Sequence, residues 1–545
     1  MQKPEGERVD TLTGEDGGSS SGATDGKISI TIGNKEKVYK IPANFKENLN
    51  KTDDAVYVWD QVSNNDQSDA LGRDYSIVLG ISPKADGYAT VGDADPQPKV
   101  GSISDPGTGS FRIPAIVKTV VNGKLRLIAA FDVRYRGGHN GNGDAGDSNA
   151  AGADITVLYS DDGGATWTKA KNKATGKIPA IDVDNDYDSE GIQNGSPSTT
   201  HTLDVGDPQL TVAPDGTVYC GMAAGNGTIG TRGGGYNFRM WKSTDNGETW
   251  EEAPGSSADS TTNTWYRNWS AEGNLRTLLT TPGHGIVLQK NVPGSANFKA
   301  GQAVLPLFQK TTSGTARLYL ATGTGNPETW DSSNFSAIYT RNGGSEEGQV
   351  CQLDDGSLLM YMKSYSVTNP HASGNGNYTT FAQYKNNTWT AVHDADAKLR
   401  MGKASQASIL KVADGDGTTK AGVVAFAYTG NQPANRGGTN WGNSGRGNIT
   451  VALARDVSAF ADKTGPLDAN EVYYLKLRTP GQGYFAYADL IMIDENTLGI
   501  LYENYSGSTD TNKGRDAKDG TNGVQGIRFC RVDISEIIKV LQNIE

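Results

Sequence analysis

The sequence predicts an all-β protein assembled from one recurring hairpin. Glycine makes up 70 of 545 residues and apolar types only 35%, a composition that suits many short strands joined by turns rather than long helices. Beyond Phe111, pairs of apolar runs recur across a polar turn: AIVKTVVNGKLRLIAAF, PQLTVAPDGTVYCGM, QVCQLDDGSLLMYM and LIMIDENTLGILYE. Each closes at an N-G, D-G or E-N pair, the chemistry of a tight hairpin. Repetition of this unit over some 400 residues marks propeller blades or a similar array.

Taken in chain order, residues 1–26 read as a flexible tether, because TLTGEDGGSSSGATDG has almost nothing to bury. Such a tether commonly follows a removed export signal or a lipid anchor, so a secreted or cell-surface location is expected. From Lys27 the runs KISITIGNKEKVYKI, AVYVWDQV and YSIVLGI alternate apolar and polar residues. They predict a small N-terminal β region over 27–100, to which the sequence assigns no role. A Gly/Asp/Pro-rich stretch before Phe111 sets the main boundary near residue 100, and 101–545 forms the main domain. At the far end, ISEIIKVLQNIE spaces Ile534, Ile537, Ile538 and Leu541 at a helical period, which predicts a short C-terminal helix packed on the outside. Cys220, Cys351 and Cys530 sit in apolar runs without metal or redox spacing and are expected to be buried apolar groups.

The net charge of −12 and pI near 5.1 argue against nucleic acid and anionic membrane surfaces as partners. An anionic substrate stays compatible, since a local arginine cluster can dominate the field in a cleft. No apolar run reaches the roughly 20 residues of a membrane span. The five histidines show no ligand spacing, so neither a metal nor a cofactor is expected, and the chain is expected to be a monomer.

Two turns are more specific than the rest. Ser160-Asp161-Asp162-Gly163-Gly164-Ala165-Thr166-Trp167 and Ser243-Thr244-Asp245-Asn246-Gly247-Glu248-Thr249-Trp250 both fit S-x-D-x-G-x-T-W, the Asp-box. Its aspartate caps the turn, its glycine takes a positive φ and its tryptophan packs between sheets. This is a structural device, so Asp162 and Asp245 are not catalytic candidates.

Phe111-Arg112-Ile113-Pro114 ahead of an apolar strand, followed by two Asp-boxes, resembles the sialidase superfamily, in particular bacterial exo-sialidases of glycoside hydrolase family 33. The resemblance covers about residues 105–533. It implies a six-bladed β-propeller and a retaining exo-α-sialidase. The substrate's own carboxylate repels a carboxylate nucleophile, so this family uses a tyrosine activated by a glutamate, with arginines on the substrate carboxylate.

Residue by residue, Arg112 resembles the first carboxylate-binding arginine, and Arg134 of Phe131-Asp132-Val133-Arg134 matches the arginine at the glycone pocket. The acid is expected in the glycine-rich loop after Arg134, where family spacing favours Asp147 over Asp144. Gly344-Ser345-Glu346-Glu347-Gly348-Gln349-Val350 resembles the segment of the activating glutamate, giving Glu347, with Glu346 as the adjacent alternative. Tyr487 of Ala486-Tyr487-Ala488-Asp489-Leu490 resembles the nucleophile, with Tyr484 as its competitor. Glu503 of Leu501-Tyr502-Glu503 matches the glutamate that holds the first arginine. Arg446 resembles the third arginine, with Arg436 as alternative. The second arginine is replaced by Lys363, a point charge without a rigid fork; Arg341 or Arg267 could reach in instead. Sialylated glycans are the implied partners. Two further readings stay open: transfer to another acceptor or formation of an anhydro product, for which Tyr135, Tyr365, Trp265, Trp269 and Trp441 are candidate acceptor-site aromatics, and a non-catalytic carbohydrate-binding propeller.

Overall fold

The structure is a computed structural model. It describes residues 26–32, 35–41, 55–59, 77–81, 110–134, 153–164, 167–182, 204–225, 237–256, 275–311, 316–330, 334–340, 345–365, 377–394, 406–416, 418–429, 449–455, 472–478, 487–505 and 525–542. The first predicted hairpin shows why local chemistry sets the pattern. Asn122 and Gly123 both take positive φ, 51° and 77°, as a two-residue turn between antiparallel strands requires. Ser110–Val121 therefore pairs with Lys124–Arg134, and Ala153–Ser160 and Thr168–Lys169 complete the first blade.

The same unit recurs. Asp204–Val212, Val218–Gly225, Asn237–Ser243 and Thr249–Glu252 form the second blade. Leu275–Thr280, Ala303–Thr311, Ala316–Thr322 and Phe335–Thr340 form the third. Ser345–Gln352, Leu358–Tyr365, Asn377–Lys385 and Thr388–Asp394 form the fourth. Ser408–Ala413, Val423–Thr429, Ile449–Arg455 and Val472–Arg478 form the fifth. Ala488–Met492, Thr497–Tyr505 and Gln525–Asp533 make a sheet of three strands. The expectation of six blades is thus corrected to five complete ones, because among the described residues the last sheet lacks a fourth strand.

Apolar faces join neighbouring sheets. Ile128, Val157, Leu210, Cys220 and Trp250 share one cluster between the first two blades. Ile116 and Leu127 of the first blade pack against Leu501 and Phe529 of the three-stranded sheet. Cys220 and Cys351 are buried, as predicted. Of the N-terminal region, Gly26–Ile32 and Lys35–Ile41 form an antiparallel pair. Ala55–Trp59 pairs with Val472–Arg478 and carries Ile77–Ile81 beyond it, so these two strands widen the fifth blade. The predicted tail helix spans Ser535–Gln542, and Ile534, Ile537, Ile538 and Leu541 are all buried. It is tied to the fifth blade by Arg455 Nε, which donates to Leu541 O.

In both Asp-box turns the glycine takes the expected positive φ, 92° at Gly164 and 91° at Gly247, and Asp245 caps its turn by accepting from Thr249 N at 2.9 Å. Ser160 Oγ accepts from Gly164 N, and Trp167 Nε1 donates to Gly164 O at 3.0 Å; Ser243, Gly247 and Trp250 repeat this. A Cβ on Gly164 would lie 2.2 Å from Phe529, so packing demands glycine there in addition to its φ of 92°. Because strands alternate in direction, Ser160 and Ser243 end at the opposite side of the sheets from Arg112.

Candidate active site

Arg112, Glu347 and Tyr487 all stand at or just before the start of the innermost strand of their sheet. Two of these starts are bulged. Pairing skips from Arg112 to Ala115 in the first blade and from Glu346 to Gln349 in the fourth, and the second blade skips from Gly206 to Gln209. Each bulge holds a non-glycine residue in the left-handed region: Ile113 at φ 59°, Asp207 at 55° and Glu347 at 47°. Such a conformation costs on the order of 1–3 kcal/mol and concentrates at functional positions. A bulge re-aims the side chains beside it.

At the first bulge, Glu503 Oε1 accepts from Ile113 N at 2.8 Å and from Arg112 Nε at 3.2 Å. Glu503 N in turn donates to Tyr487 O at 3.0 Å. One glutamate therefore holds the strained peptide, the arginine and the backbone of the tyrosine. Arg112 and Glu503 are 6% and 5% exposed, so their ion pair is nearly free of water screening. The Arg112 guanidinium lies 5.4 Å from the centroid of the Tyr487 ring, within cation–π reach.

Tyr487 Oη donates to Glu347 Oε1 at 3.0 Å across 140 residues of sequence. A phenol is a poor nucleophile until its proton is taken, and a carboxylate in hydrogen-bond reach is the group that takes it. Tyr487 is 5% exposed and Glu347 is half-buried, so the pair opens to a partly desolvated surface. The arrangement can supply an activated oxygen nucleophile beside a fixed cation.

The predicted residues Arg112, Glu347, Tyr487 and Glu503 are thus brought together. Arg134 and Lys363 are placed by backbone: Arg134 ends its strand opposite Ser110, and Lys363 stands opposite Glu346. Asp147, its alternative Asp144, Arg446 and Arg436 lie outside the described residues. Among the described residues no group of three or more His, Cys, Asp or Glu side chains is placed to hold a metal ion.

Sequence reasoning missed the polar axis beneath the pair. Asp489, two residues after Tyr487, is fully buried and bonds to His284 Nδ1 and Ser408 Oγ, both at 2.7 Å, and to Ile116 N at 2.9 Å. Burial disfavours the imidazolium of His284, but the charge of Asp489 and its hydrogen bond outweigh that, so the His284 pKa is raised. A carboxylate inside the otherwise apolar run ADLIM was the available signal.

No protein-family profile matches the chain. It is 24% identical over 420 residues to a protein from Bacteroides fragilis called Sialidase, covering 73% of this chain and 61% of that relative's length. Among solved structures it is similar to a Hadza microbial sialidase, with 20% identity, TM-score 0.50 and 78% and 68% of the two chains covered. It is also similar to the intramolecular trans-sialidase from Ruminococcus gnavus, with 16% identity, TM-score 0.51 and 84% and 98% covered. The leech intramolecular trans-sialidase gives TM-score 0.51 at 16% identity, covering 79% and 69%. With Arg112, Glu347 and Tyr487 gathered at the starts of the innermost strands of its sheets, this chain has the β-propeller fold of the sialidases.

Proposed function

We propose that this protein is an exo-α-sialidase that releases terminal sialic acid from glycans with retention of configuration. The observation that carries the reading is the 3.0 Å hydrogen bond from Tyr487 Oη to Glu347 Oε1 beside the Arg112 guanidinium. In this reading Tyr487 Oη attacks the anomeric carbon while its proton passes to Glu347 and the leaving oxygen takes a proton from Asp147. Water then attacks the tyrosyl-linked sugar, with its proton returning to the acid position and the tyrosine leaving as the phenol. Arg112, Lys363 and Arg446 hold the substrate carboxylate, and Arg134 reaches the glycone. In this reading the enzyme is secreted or held at the cell surface, where such glycans lie.

Incubation with a fluorogenic aryl α-sialoside tests this. Turnover is expected, and Glu347→Gln is expected to lose about 10²–10⁴-fold in rate, the usual range for a removed general base. Absence of turnover by the unaltered protein, or full activity of Tyr487→Phe, overturns the reading. The name of the Ruminococcus gnavus neighbour favours one alternative, transfer within the substrate. NMR of the product separates the two, since hydrolysis yields free sialic acid and internal transfer yields an anhydro sugar.

A further inference from the structure

Asp489 and His284 lie beneath the site, and the machinery described above uses neither. Burying a carboxylate is costly unless it is fully hydrogen-bonded and charge-paired. Asp489 draws its hydrogen-bond partners from four separate segments. Ile116 N comes from the strand that begins beside Arg112, Ser408 Oγ from the fifth blade, Leu490 N from its own strand, and His284 from the segment after the third blade's first strand. His284 Nδ1 lies 2.7 Å from Asp489 Oδ1, and its buried Nε2 has no hydrogen-bond partner among the described residues, so Asp489 is the group that orients the ring.

The segment carrying His284 reaches the other catalytic strand as well. Gln349, two residues after Glu347, donates through Nε2 to Pro282 O at 2.5 Å, and Gln406 donates to the same oxygen at 2.7 Å. Gly283 between them has φ 114°, and a Cβ there would lie 2.9 Å from both glutamine amides. The segment 281–284 therefore touches the strand of the tyrosine at one end and the strand of the glutamate at the other.

We propose that the His284–Asp489 pair is a positioning device that sets Tyr487 against Glu347, with residues 281–284 as the common anchor. Asp489 follows Tyr487 by two residues, in the strand Ala488–Met492 that begins right after the tyrosine, so the pull on Asp489 fixes the pitch of the tyrosine. The pull of Pro282 O on Gln349 fixes the glutamate's strand against the same support. The kinetic part of this inference rests on the assignment of Tyr487 as nucleophile.

The test compares His284→Leu, His284→Asn and Asp489→Asn in the full chain, with kcat and KM on the fluorogenic aryl α-sialoside and a thermal melt to confirm folding. His284→Leu is expected to lower kcat by about 10²-fold, the scale set by a misplacement near 1 Å, with KM close to that of the unaltered protein. His284→Asn, whose amide can donate from the place of Nδ1, is expected to recover most of kcat. A folded His284→Leu with unchanged kcat overturns the proposal, as does a His284→Asn no better than leucine. Should the leucine variant fail to fold, Asp489→Asn decides, since it keeps the volume and removes the charge; unchanged kcat there also overturns it. If the unaltered protein turns over no sialoside, the sialidase reading fails by itself. Crystal structures of the unaltered and His284→Leu proteins then decide the positioning role, and an unmoved Tyr487 Oη to Glu347 Oε1 distance rejects it.

Discussion

Glu503 shows how a residue remote from the reacting atoms governs a site. Its Oε1 takes hydrogen bonds from Arg112 Nε and Ile113 N, and both partners of the ion pair are almost wholly buried. Glu503→Ala removes a buried carboxylate from both Arg112 and Ile113 N, for which the expected loss is up to about 3–5 kcal/mol of stability. Glu503→Gln keeps the acceptor oxygen and is expected to unfold closer to the unaltered protein while raising KM. Urea unfolding and steady-state kinetics measure the two effects. At this scale the sequence was informative wherever a motif fixed the register: Arg112, Glu347, Tyr487 and Glu503 each sit in a short pattern of neighbours. His284 has no such pattern. Its partner lies 205 residues away, and only the closing of the sheets brings them together.

Among the elements, the two Asp-box turns are joined by a single side chain. Arg126 grips Asp161 through Nε and Nη2 at 2.7 and 2.8 Å, reaches Glu248 at 2.8 Å through Nη1, and lies over the Tyr159 ring at 4.4 Å. The hydrogen bond to Asp161 is the main reason its guanidinium pKa is raised. Both carboxylates are about half exposed, at 51% and 49%, so water screens part of the gain. Arg126→Ala is therefore expected to cost about 1–2 kcal/mol, with lysine in between because it cannot grip a carboxylate with two nitrogens. Chemical denaturation checks the order alanine, lysine, arginine. Hairpins and the tail helix were legible because N-G turns, strand alternation and helical spacing are local. The join between the Asp-boxes was not, since nothing near Arg126 in sequence marks Glu248 as its partner.

The whole molecule closes as a ring, and the His284–Asp489 pair lies where several sheets meet. The His284 pKa is raised above its ordinary 6.5. A raised pKa in the folded state means that the folded protein holds the proton more tightly than the unfolded chain. The resulting stability is complete below the unfolded value and is lost as pH rises through the folded one. The melting temperature of the unaltered protein should therefore exceed that of His284→Asn most below the ordinary 6.5, and the gap should narrow as pH rises above it. A gap constant with pH would show that the imidazole is not charged. Blade number was the part of the fold least legible in sequence. A hairpin repeat counts units, but strand pairing across hundreds of residues decides how each sheet is completed, as when Ala55–Trp59 joins Val472–Arg478.

Ile113, Asp207 and Glu347 occupy one and the same kink in three different blades. The main chain is thus bent in the same way at three places around the ring. The same bend accepts an isoleucine in one blade and a carboxylate in two others, so its shape does not depend on the side chain it carries.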